Sequence, residues 1–64
     1  MSPKMIEEAF NGAKQMYEAS DVSRNDYLNM LRSLDTEKIP STPDNDIKKQ
    51  ELRTLIDNAI STVE

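Results

Sequence analysis

The amino-acid sequence predicts an all-α protein, a small three-helix bundle. Two observations carry this reading. Apolar residues recur in three segments at the spacing that gathers them on one helix face, with no strict alternation of the strand type. Each segment also opens on a capping residue, Ser2 before Pro3, Ser23 before Arg24 and Thr42 before Pro43. A helical hairpin completed by a second copy of the chain is the alternative architecture.

In the first segment, Met5, Ile6, Ala9, Phe10, Ala13, Met16 and Tyr17 form the stripe. A Ser N-cap accepts an orphan backbone N–H, and Pro at the first helical position gives up a donor that would have no partner there. The first helix is therefore expected over residues 3–19. Gly12 lies at the edge of the stripe, where a missing side chain lets another backbone come close, and close packing is expected there.

The second start is sharper. Ser23 with Asp26 resembles a capping box with Asp in place of Glu, and Val22 and Tyr27 hold the hydrophobic-staple positions. A helix is expected over residues 24–35, burying Tyr27, Leu28, Leu31 and Leu34 with Met30 at the flank.

Residues 36–42 form the one linker. Pro40 forces Ile39 toward an extended backbone, and Ile39 is placed to cover one end of the core. The third helix is expected over residues 43–63, with Asp44 and Asp46 in its first turn where the helix dipole favours negative charge. Its stripe is Leu52, Leu55, Ile56, Ala59, Ile60 and Val63. Extended backward at about 100° per residue, that stripe puts Lys48 and Lys49 on the apolar side and Ile47 nearly opposite it. The first two turns therefore either project past the core or pack differently from the rest.

Composition narrows the function. The chain has 64 residues, no Cys and no His, so disulfides, zinc sites and haem ligands have no atoms to form from. Nucleophilic catalysis would fall to Ser or Thr beside Lys or a carboxylate, and no local pattern marks such a pair. The expectation is a non-enzyme without cofactors or metals. Glu7 and Glu8 diverge by about 100° on a helix and read as solvated. Asp44-Asn45-Asp46 has the opening of a calcium loop, but Leu55 stands where the twelfth-position Glu belongs. Gln50-Glu51-Leu52 is similar to the start of the Gln-Glu-Leu-Asp signature of small sporulation phosphatases, with Arg53 in place of the Asp that carries their chemistry.

Charge points to a protein partner. Eight bases against twelve acids leave a net charge of −4, and no apolar run approaches a membrane span. The N-terminus lacks the apolar stretch of a secretory signal, so the cytoplasm is the expected location, and such small frames are common in bacteria and phages. The leading expectation is a helical protein that binds a larger protein as regulator, inhibitor or assembly factor. Ile47, Lys48, Lys49 and Arg53 are the candidate contact residues, an apolar anchor rimmed by bases suited to an acidic partner.

The stretch Ala19-Ser20-Asp21-Val22-Ser23-Arg24-Asn25 resembles the turn of a helix-turn-helix. That resemblance implies a DNA-binding regulator using Arg24, Asn25, Asn29 and Arg32. Asp21 replaces the usual turn Gly, and five acids offset the four bases of residues 1–32. A self-assembling structural or virion component, with a homodimer as its simplest form, is the third expectation.

Overall fold

A computed structural model describes residues 2–64. Three helices pack against one another, α1 (Pro3–Glu18), α2 (Arg24–Ser33) and α3 (Pro43–Val63), and no strand occurs among the described residues. The three-helix bundle is thus the architecture. No helix is long and apolar enough to cross a membrane.

All three sequence-level caps form. The Ser2 hydroxyl accepts from the Met5 N–H at 3.3 Å, Ser23 from Asp26 at 3.1 Å and Thr42 from Asn45 at 3.1 Å. At Ser23 only this forward half of the capping box is made, which fits an Asp one methylene shorter than the usual Glu. α1 ends one residue before its expected limit. Ser20 takes a left-handed φ of 61°, and the Asp21 N–H donates to the Met16 carbonyl at 2.8 Å while Ser20 donates to Tyr17 at 3.0 Å. These two bonds are the pair that closes a helix in a Schellman turn, with Ser where Gly is usual.

α2 stops at Ser33 rather than Asp35 because Leu34 turns extended. Asp35 is thereby freed to accept from the Glu37 N–H at 2.9 Å and start a single 3-10 turn, Thr36–Lys38, that periodicity alone did not announce. Ile39 follows with an extended backbone and is 2% exposed, so it covers the core as Pro40 led us to expect.

The core gathers Ile6, Phe10 and Ala13 of α1, Tyr27 and Leu31 of α2, Ile39, and Leu52 and Ile56 of α3. Tyr17 and Tyr27 stack across α1 and α2 with ring centroids 4.4 Å apart, a contact worth about 0.5–1.5 kcal/mol beyond its area. Since that stack lies next to the α1–α2 turn, and Arg24 reaches the end of α3, the chain runs up, down and up.

Three expected core residues fall outside. Met5 and Met16 are 54% and 40% exposed, and Leu55 is 49% exposed. Each lies at the margin of its helix's buried arc, where a stripe wide enough for two neighbours meets only one. The close approach expected at Gly12 is also absent, because a Cβ built there meets nothing within 4 Å. Gly12 shares its helix edge with Met5, Ala9 and Met16, about 100° from the Ile6 side.

α3 is one unbroken helix through residues 43–51, and it projects. Its 21 residues span about 31 Å against about 24 Å for α1 and about 15 Å for α2. Ile6 packs in the cluster with Leu52, and Phe10 shares a groove wall with Ala59, so α1 begins level with about residue 49 of α3. The turns before that residue are flanked by the 36–39 segment on one side and by no part of the chain near Ile47.

Two substitutions test the backbone argument. Gly12→Ala should raise stability by about 0.5–1 kcal/mol, since it removes unfolded-state entropy without a clash. Ser20→Val should lower it by about 1–2 kcal/mol through the left-handed φ. Thermal unfolding followed by circular dichroism reads both, and a stabilised Ser20→Val would refute the turn assignment.

Candidate functional site

The candidate site begins with the apolar side chains that α3 leaves outside the core. Ile47 is 63% exposed and Leu55 lies two turns on. Gln50, Glu51 and Thr54 complete the same surface. Capping by Thr42 and the fixed φ of Pro43 start the helix early, at a point the other two helices do not reach, and this holds Ile47 in the open.

Leu55 also belongs to a second surface. It forms one wall of a shallow groove between α1 and α3, whose floor includes Phe10, Tyr17, Ala59 and Val63 and whose α1 rim carries Lys14 and Glu18. The exposed end of α3 and this groove therefore run into each other at Leu55. Periodicity had assigned Leu55 to the core, and only the position of the α1 backbone separates it from Ile56.

The four residues read as a partner patch do not come together. Lys49 and Arg53 both turn to Glu37 of the linker, at 3.6 and 3.8 Å, and the Lys49 side chain keeps only 20% of its exposure. On the helix wheel they stand more than a quarter turn beyond Ile47, on its far side from Leu55. Lys48 pairs with Glu51 at 3.9 Å, one turn along α3. The Lys49 stem is packed and its ammonium is matched within the chain, so the ring of bases expected around Ile47 reduces to Lys48.

Two of the four residues read as DNA contacts are likewise engaged. Arg24 Nε donates to the Val63 carbonyl at 2.6 Å and its Nη2 to the Glu64 carbonyl at 2.7 Å. Arg32 pairs with the Glu64 carboxylate. Both arginines complement the negative end of the α3 dipole, and Leu28 is buried one turn from each on the same edge of α2. Asn25 and Asn29 remain exposed on the outer face of α2.

Tyr27 carries the one perturbed titration. Burial pushes its phenol above the ordinary value of 10.0, with the Glu18 carboxylate and Tyr17 adding to the effect. Among the described residues no three acidic side chains converge in the manner of a metal site. No protein-family model, curated protein or solved structure matches the chain.

Removing the cap tests the role of Arg24. Arg24→Ala should cost about 1 kcal/mol in urea unfolding, whereas exposed Asn25→Ala should stay within about 0.5 kcal/mol. Equal effects would contradict the capping role. Because the folded pKa of Tyr27 is raised, its contribution to stability is complete below the unfolded value of about 10 and is lost as pH rises through the folded one. The urea midpoint should fall in that window more steeply than in Tyr27→Phe, and identical profiles would refute the assignment.

Proposed function

We propose that this chain is a small non-enzymatic helical protein of the cytoplasm that binds a larger protein as regulator, inhibitor or assembly factor, and that it does so through the exterior of α3. One observation carries the reading. Ile47 and Leu55, two large aliphatic residues of one helix, lie in the open with no cover from the rest of the chain. Solvating that surface has a standing cost that a partner would relieve, at about 25 cal/mol for each Å² of apolar area removed from water. The mode is helix recognition, in which aliphatic anchors spaced along one face give affinity and the surrounding charges set register.

The functional substitutions of the preliminary patch divide along the same lines. Lys49 and Arg53 serve the linker, so replacing them would disturb the fold around Glu37, while Ile47 and Leu55 are exposed and can be changed with little effect on folding.

The test is crosslinking and affinity capture in the native host, comparing the wild-type chain with Ile47→Glu/Leu55→Glu. Circular dichroism should show an unchanged helix content. Recovery of the specific partner should fall by about tenfold or more, equivalent to about 1.4 kcal/mol. Undiminished recovery would remove α3 from the interface, and a chain that crosslinks to nothing would refute the function itself.

A further inference from the structure

The groove between α1 and α3 carries information about the chemistry of what fills it. From Ile47 to Val63 the open face and the groove form one apolar track about 24 Å long, with Leu55 near its middle. That is the length of a partner helix of about 16 residues, laid along α3 with one anchor side chain per turn.

The charges beside this track are unbalanced. On the α1 side, Glu7, Lys14 and Glu18 share one helix edge, spaced seven and four residues apart. On the α3 side, Asp44, Lys48 and Glu51 stand at the corresponding three- and four-residue spacings. Four carboxylates thus face two ammonium groups, and Lys48 is already paired with Glu51 at 3.9 Å. No ion pair among the described residues involves Glu7, Glu18 or Asp44. The cations that could have offset them, Lys49 and Arg53, are held by Glu37 on another side of α3. An apolar floor under an acidic rim favours a ligand that brings aliphatic side chains and positive charge together.

We infer that the α1–α3 groove receives a cationic amphipathic helix of the partner protein, its Leu- or Ile-type stripe lying against Leu55 and its Lys or Arg flanks against Glu18 and Glu51. This rests on the protein-binding function proposed above and gives the partner its chemistry. It also reverses the sign expected from the bases of residues 48–53, because two of those three bases are used inside the chain. The edge of α1 that carries Met5, Gly12 and Met16 is a separate apolar surface without such a rim argument, and serves as the internal control.

Two synthetic helices of about 18 residues, with the same Leu stripe and either Lys or Glu on the flanks, test the inference against the full chain. Amide chemical shifts locate binding and fluorescence anisotropy measures it at about 50 mM and about 500 mM salt. The Lys helix should shift the amides around Phe10, Leu55 and Ala59, and should bind about tenfold or more tighter than its Glu twin at low salt. High salt and Glu18→Gln/Glu51→Gln should each shrink that preference, and Leu55→Asn should weaken both helices. An equal or tighter Glu helix would overturn the charge assignment while leaving protein docking in place. Shifts confined to the Met5–Met16 edge, no binding by either helix, or self-association that buries Leu55 would each overturn the groove. Capture of the native partner is a separate measurement, so these failures are distinguishable from failure of the function.

Discussion

Unequal helix lengths are the constraint from which the rest of this structure follows. A ten-residue α2 offers about 15 Å of axis to a 21-residue α3 of about 31 Å, so three-sided packing is geometrically possible only over part of α3. Where the three helices coincide, Ile6, Leu31 and Leu52 are almost completely buried. Beyond that level the linker takes over on one side only. The 3-10 turn, the burial of Ile39 and the double pairing of Glu37 with Lys49 and Arg53 are the local answer to a helix that outruns its neighbours. Ile47 stays outside because the 36–42 segment can pass along one flank of α3 and not the other.

The same geometry decides where the positive charge goes. Arg24 and Arg32 meet the end of α3, Lys49 and Arg53 meet Glu37, and Lys48 meets Glu51. Five of the eight bases are thereby matched with groups of their own chain, while most of the twelve acids have no such partner among the described residues. The surface offered to other molecules is therefore more acidic in effect than the formal charge of −4 implies. Pairs this exposed contribute little to stability individually, about 0–1 kcal/mol. Their larger effect is to direct long side chains away from the α1–α3 groove.

Local chemistry was legible in the sequence where it depends on neighbours a few residues apart. The caps at Ser2, Ser23 and Thr42 form, the helix starts at Pro3, Arg24 and Pro43 agree, and the extended Ile39 follows from Pro40. What was illegible depends on the lateral position of another helix. Leu55 and Ile56 are adjacent, equally apolar and both within the periodic stripe, yet one is 49% exposed and the other buried. Gly12 is similar, since close approach needs a second backbone and the wheel cannot say which side has one. The mismatch of residues 47–49 with the later stripe was visible, but whether Lys49 would point to a partner or to Glu37 turned on a linker turn that has no periodic signal. For the candidate site, then, Ile47 was found from its spacing, and Leu55 emerged only with the α1 backbone in place.

A rigid rod held at one end behaves differently along its length. The C-terminal half of α3 is pinned between two helices and tied to Arg24, whereas residues 43–51 rely on their own hydrogen bonds, the Thr42 cap and contacts along a single flank. Opening of those first turns needs little of the core to move, so amide protons there exchange with solvent through local fraying while those of Leu52 to Ile60 await disruption of the bundle. The exposed anchor Ile47 thus sits on the segment able to bend or unwind toward whatever it meets, next to a stretch that stays put.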